Sequence, residues 1–259
     1  MYSFSFVLKK ALDLSGLDHR DVGWMVRLVI KTMKRYIEIL RVIFGGHVYR
    51  MLDIGSSGRR VQPYWFYERH GVLKIDGVDM QDNIGGDLSN DSKNKFKVLL
   101  SDREEIVELK FRRHLGCSSI LDNSDYLERF DKYPWFEVIG KEEFKTIRAD
   151  SVFVGEFSYR ILKVDTQGYE FKILMGFGGL LQMVDCIEIE AHFIPMYRGE
   201  SAFEEIRMFL HREGFVLRKI RDTGFVNCEL YEVDAFFTRL SPNDPKSVHF
   251  FELIHDIGV

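Results

Sequence analysis

The residues best suited to chemistry stand where apolar runs end. "MLDIGSSG", residues 51–58, rises to Asp53 and then breaks into Gly55, Ser56, Ser57 and Gly58. Glycine and serine in such a turn let the backbone approach a ligand, because no branched Cβ intrudes. The next apolar run, "VLKIDGVDM", reaches Asp79, whose carboxylate suits the two hydroxyls of a ribose. Turn and carboxylate together point to a cofactor that carries a nucleoside. Further along, "RILKVDTQG" leads to Asp165, and "VDCIEIEAHF" sets Glu188, Glu190 and His192 on one strand face at period two. Three polar side chains on a central strand cannot all enter apolar packing without cost. Each has an ordinary alternative. Asp165 can accept local N–H groups as an Asx turn, Glu188 can meet a basic side chain or a solvated edge, and His192 can cap a loop.

Such residues act together only if a frame gathers their strand ends. From residue 48 onward, "VYRMLDI", "VLKIDGVDM", "FKVLLSD", "RILKVDTQG" and "VDCIEIEAHF" read as five strands. Between them lie the helical segments "VQPYWFYERH", with Pro63 in its first turn, "YEFKILMGF", stopped by Gly178-Gly179, and "SAFEEIRMFLHREG", ended by Gly214. This alternation predicts an α/β fold, a Rossmann-like, doubly wound, mostly parallel sheet. "REEIVELKF" alternates like a hairpin strand and opens a short-stranded insertion over about 104–145. "FVLRKI" and "CELYEVDAFFTRL" are joined by "RDTGFVN", too short for a crossover helix, so the sheet closes in an antiparallel hairpin.

The expected organisation is an N-terminal helical appendage (1–46) packed on the core, a main domain (47–240) and a C-terminal tail (241–259). Residues 24–44 have helical periodicity with Arg27, Lys31, Lys34, Glu38 and Arg41 along one stripe, and Gly45-Gly46 as the stop. Those charges exclude a membrane span, while the Lys and Arg excess leaves room for a peripheral membrane contact.

A net charge of −4 and a pI near 6.1 give no general attraction to a nucleic-acid backbone, so no nucleic-acid partner is expected. Cys117, Cys186 and Cys228 form no CxxC pair, which excludes a zinc ribbon and a redox couple and favours a reducing, cytoplasmic setting. Neither GxxxxGK[ST] nor GxGxxG occurs.

The closing hairpin resembles class I S-adenosylmethionine-dependent methyltransferases, and finer matches narrow this to their FkbM-type family. "RILKVDTQGYEFKILMGF" is similar to that family's most specific motif. "MLDIGSSG", "FKVLLSD", "IEIEAHF" and "FEEIRMFLHREGFVL" match its other segments in order, over about residues 48–240. Two positions depart. Gln167 stands where the family usually has Glu, and Asp79 stands where it often reads Glu-Pro.

The resemblance implies S-adenosylmethionine as cofactor and methyl transfer to an oxygen, commonly a hydroxyl of a sugar, glycoconjugate or similar small-molecule acceptor. It implies that Asp53 and the turn Gly55–Gly58 meet the methionine end, Asp79 the ribose and Met80 the adenine. Ser101 or Asp102 would receive the adenine amino group, Asp102 being also an ordinary turn residue. An alcohol needs help to lose its proton, and Asp165, Glu190 and His192 are the candidates for that work. Tyr197 and Arg198 lie in the loop where an acceptor would enter, while Arg59-Arg60 reads as a solvated pair. Asp165 and Glu190 are hard oxygen ligands for Mg²⁺ or Mn²⁺, but a third ligand is not apparent, so no metal site is assigned. Two alternatives stand beside this reading. A nicotinamide-dependent reductase would need a wider glycine pattern and a parallel last strand. A non-catalytic nucleoside-binding module has Gln167 as its hint.

Overall fold

Apolar runs of four to seven residues become the strands of a central sheet, seen in a computed structural model that describes residues 37–42, 44–56, 64–80, 95–129, 134–155, 157–226 and 229–256. The chain divides into two units, Met1–His47 and Val48–Val259. In the first, residues 37–42 are helical, and Gly45 and Gly46 follow at φ 62° and 73°, the glycine stop that the sequence predicts. The rest of the expected helix before residue 37 lies outside the described residues. No described helix is long and apolar enough to cross a membrane.

The second unit runs β1 (Tyr49–Ile54), α1 (Tyr64–Arg69), β2 (Leu73–Val78), β3 (Lys95–Phe96), β4 (Leu99–Leu100), β5 (Ile106–Arg112) and α2 (Asp125–Arg129). It continues with β6 (Val138–Ile147), α3 (Ala149–Val152), β7 (Ile161–Val164), α4 (Glu170–Gly176), β8 (Cys186–His192) and α5 (Phe203–Arg212). β9 (Phe215–Val226), β10 (Glu229–Arg239) and α6 (Pro245–Asp256) complete it.

The main sheet has the order β3-β2-β1-β7-β8-β10-β9. All its pairs are parallel except those of β10, which runs antiparallel to both β8 and β9. The predicted closing hairpin is therefore present, and the parallel last strand that a reductase would need is not. Strand order reverses between β1 and β7, where an open parallel sheet makes its crevice.

The two faces of this sheet differ. Leu52, Ile54, Leu162, Val164, Ile187, Ile189, Val233 and Phe237 form an apolar face beneath α3, α4 and α5. The alternate residues include Asp53, Lys163 and Glu188, all buried and in register across β1, β7 and β8. Glu188 accepts a hydrogen bond from the Tyr64 hydroxyl and lies 3.4 Å from His255 and 3.5 Å from Arg221, so the expected basic neighbour exists, in the interior.

Four expectations need correction. "FKVLLSD" is two short strands in different sheets: β3 pairs with β2, whereas Leu99–Leu100 pair with Thr146–Ile147 of β6. The chain changes sheets there because the insertion's long strand offers its own hydrogen bonds. Most of "RDTGFVN" is also strand, since β9 runs through to Val226. The helix after β7 ends at Gly176 and continues as a 3₁₀ segment, Gly178–Met183, through the expected glycine stop. Finally, the predicted tail contains α6, whose Phe250, Phe251 and Ile254 are buried, with Phe250 stacked on Tyr49 at 4.7 Å.

Candidate active site

β1, β2 and β7 end side by side, and the residues that follow them meet. Gly55 N–H donates to Val78 O at 2.9 Å, and Asp165 N–H donates to Ile54 O at 3.0 Å. Gly55 has φ 80°, and a Cβ there would lie 1.7 Å from Asp165 O. The turn needs glycine because the neighbouring strand tip presses against it, a tighter reason than ligand approach alone. Asp79 follows directly on β2.

Two cavities open at these tips. The first is lined by Gly55, Asp79, Met80 and Asp165, with an apolar wall that includes Val98, Leu109 and Ile120. The second is lined by Glu190, His192, Glu232, Tyr197, Phe136 and Cys117, among others. Gly55, Gly116, Asp165 and Gln167 line both, so they mark where the cavities adjoin.

Asp165 does not make the Asx turn. Its Oδ2 accepts from Lys163 Nζ at 2.9 Å and its Oδ1 from Gln167 Nε2 at 3.2 Å. The turn's N–H groups go instead to Glu170, whose Oε1 accepts from Thr166 at 2.7 Å and Gly168 at 3.1 Å. Burial pushes the Asp165 carboxyl up, but the Lys163 ammonium outweighs it and holds the group below the usual carboxylate range. Lys163 is itself buried, which works against its charge, yet Asp165 and then Asp53 hold its ammonium above the ordinary range.

Gln167 joins the two strand ends. Its backbone is left-handed at φ 59°, the single non-glycine case among the described residues. From there Nε2 donates to Glu190 Oε2 at 2.5 Å, while Oε1 accepts from the Tyr197 hydroxyl at 2.7 Å. Glu190 is pushed well up by burial and by the nearby carboxylates of Asp165 and Glu232. Asp165 and Glu190 thus differ in opposite directions, the arrangement that separates a fixed charge from a proton-carrying group.

His192 Nδ1 lies 3.0 Å from Glu200 Oε2, and its Nε2 lies 3.7 Å from Glu232 Oε2. Burial alone would lower the imidazole, but hydrogen bonding to Glu200 and the charge of Glu232 raise it to about 10. Glu200 is held in turn by the Met196 N–H.

The remaining expected residues are spread more widely. Ser56 packs beside Gly77 of β2; Ser57 and Gly58 lie outside the described residues, as do Arg59, Arg60, Pro63 and Cys228. Asp53 is buried below the tips, 4.0 Å from Lys163, and lines neither cavity. Ser101 and Asp102 line neither as well. The Ser101 hydroxyl donates to Asp102 at 3.0 Å and lies 3.2 Å from the Tyr169 hydroxyl. Arg198 pairs with Asp125 on the surface, whereas its neighbour Tyr197 is at the site.

Sequence reasoning missed Lys163, Glu170, Glu200 and Glu232, together with the insertion residues that wall the cavities. The insertion is pinned by Arg112, wholly buried, which donates to Asn123, Cys117 O and Leu121 O. A signal for Glu232 did exist: Glu232, Asp234 and Phe236 alternate at period two, and the register sets Glu232 opposite His192.

A family model described as the methyltransferase FkbM domain matches residues 88–217. No curated protein matches the chain. Among solved structures, magnesium protoporphyrin IX methyltransferase from Synechocystis PCC 6803, with bound SAM, aligns at 10% identity and TM-score 0.38, over 92% of each chain. The 1,6-didemethyltoxoflavin-N1-methyltransferase of Burkholderia thailandensis aligns at 11% identity and TM-score 0.37, over 91% of this chain and 88% of that one. Likenesses at such TM-scores bear on nothing that follows.

Proposed function

The chain belongs to the FkbM family of S-adenosylmethionine-dependent methyltransferases, and from that premise we propose that it methylates a hydroxyl of a sugar, glycoconjugate or similar small molecule. The observation that carries this reading is the shared wall of the two cavities, Gly55, Gly116, Asp165 and Gln167. One cavity has the features of a nucleoside site and the other collects groups able to handle a hydroxyl proton. A cofactor in the first then faces an acceptor in the second.

The donor set fits the cofactor. Gly55 lines the first cavity, and Asp79 lines it too, placed to accept both ribose hydroxyls. Met80 and the aliphatic wall offer a surface for the adenine. Bound S-adenosylmethionine supplies a methyl group already activated by its sulfonium, so alignment is the main demand on the protein.

Lys163 fixes the Asp165 carboxylate, and Gln167 fixes the orientation of Glu190 towards it. The acceptor hydroxyl donates its hydrogen bond to this carboxylate pair. With the methyl group supplied by the cofactor, this pair would take up the hydroxyl proton. His192, tied to Glu200, carries the adjoining edge of the cavity. Phe136 gives a flat surface of the kind sugar rings pack against, which supports a carbohydrate or similar acceptor. Free Cys117 and Cys186 support a reducing setting such as the cytoplasm.

A screen of hydroxylated acceptors with methyl-labelled cofactor tests the reading. Transfer to oxygen, lost in Asp165→Ala or Glu190→Ala with S-adenosylhomocysteine binding retained, is the expected result. Label found only on nitrogen or carbon would overturn it. A thermal shift with NAD but not with S-adenosylhomocysteine would favour the reductase instead.

A further inference from the structure

We propose that Glu190, His192 and Glu232 form a site for one divalent first-row transition cation, of the Mn²⁺ or Zn²⁺ kind, on the acceptor side of the active site. The inference rests on the methyl-transfer reading above and adds a group to it. Glu190 and His192 come from β8 and Glu232 from β10, its antiparallel neighbour, with Glu232 opposite His192 in register. One ligand atom from each lies within 4.8 Å of the other two.

Three features mark a cation site rather than a closed hydrogen-bond cluster. First, His192 Nε2 and Glu232 Oε2 are 3.7 Å apart, too far for a hydrogen bond. Bonds of about 2.0–2.2 Å to a common ion place two ligands roughly 3–4 Å apart, which this spacing matches. Second, His192 is prepared as a metal-binding imidazole should be. Glu200 takes its Nδ1 at 3.0 Å and is itself held by the Met196 N–H, so Nε2 turns to the cavity. Third, the side chains of Glu190, Glu200 and Glu232 gather around this one imidazole.

One imidazole and two carboxylates suit a cation between hard and borderline, and an open cavity leaves further positions for the acceptor oxygen. A hydroxyl ligated there would lose its proton more readily, with the Asp165 carboxylate, which is not a ligand, close by. Glu190 thus has its co-ligands in His192 of its own strand and Glu232 of the neighbouring one, without Asp165.

The test uses the full chain, freed of metal with EDTA and titrated by calorimetry with MnCl₂ and, separately, ZnCl₂, in the presence of S-adenosylhomocysteine. One ion per chain is expected for at least one of the two. Glu232→Gln, at a partly exposed position, should weaken it by about tenfold or more, as expected for loss of a ligand. Glu200→Gln should weaken it by about 10- to 100-fold through His192, whereas the remote, exposed Glu104→Gln should leave it unchanged. The thermal shift given by S-adenosylhomocysteine should persist in every variant and reports that each is folded. No bound ion, or equal binding by Glu232→Gln, overturns the site. Loss of the S-adenosylhomocysteine shift in the unaltered chain would instead sink the cofactor reading.

Discussion

The two adjoining cavities are built differently. In the first cavity, the one proposed for the cofactor, the distinctive residues, Gly55, Asp79 and Asp165, each follow immediately on a parallel strand, and aliphatic side chains supply most of the remaining wall. Beyond the shared tips of β1 and β7, the lining of the second cavity comes from the insertion, from β8 with the loop after it, and from β10. Titratable side chains there bond to one another through Gln167 and Glu200. One side is a product of local strand-to-turn chemistry, the other of long-range registration. A binding site for a common cofactor can be made the first way. Selecting a particular acceptor needs the second, because distant loops can be altered without disturbing the strand tips.

Perturbing each side should separate them. The largest effect is expected from Lys163→Met, which leaves buried Asp53 and half-buried Asp165 without their cation. Removing one partner of a buried pair costs about 3–5 kcal/mol, read as loss of stability in urea unfolding. Unchanged stability would show that the carboxylates do not depend on Lys163. Gly55→Ala comes next, at about 2–4 kcal/mol, because its Cβ meets Asp165 O in a left-handed backbone. It should also remove S-adenosylhomocysteine binding, and normal binding would contradict the close contact of these tips. Asp79→Ala should weaken cofactor binding by about 1–3 kcal/mol in calorimetry with little change in stability. Equal affinity would refute the ribose role.

The smallest effect concerns pH and the sheet face beneath the acceptor side. Burial lowers His255 from 6.5 to about 3, and burial with Asp234 pushes Glu188 well above 4.5. The folded chain therefore holds a neutral His255, its Nε2 2.9 Å from the Tyr64 hydroxyl. In Glu188→Gln, which removes the neighbouring carboxyl, stability should fall by about 1 kcal/mol per pH unit as pH drops below 6.5, because the unfolded histidine gains a proton that the folded one does not. A flat profile in the variant would mean that His255 is charged when folded.

What the sequence made legible follows the same division. β1, β2, β7 and β8 are mostly apolar runs whose ends could be read directly, so Gly55, Asp79, Asp165, Glu190 and His192 were within reach. The short antiparallel connection also disclosed the closing hairpin. Leu99–Leu100 were misread because their partner strand lies more than forty residues on, in the insertion. Glu232 escaped because its importance depends on which residue of β8 it faces, and register is not a local property. Ser101 and Asp102 follow a strand in the expected segment, yet that strand belongs to the insertion's sheet, and the Ser101 hydroxyl meets Tyr169 and Asp102 instead. α6 was missed for a different reason. Asp244 and Pro245 mark its start as a helix signal should, but they fall in a segment assigned to a tail.

The most direct test of the adjoining cavities is a crystal structure of the chain with S-adenosylhomocysteine. The adenosine is expected between Gly55 and Asp79, with the sulfur turned towards Asp165 and Gln167. Nucleoside seated instead among Glu190, His192 and Glu232 would contradict the account.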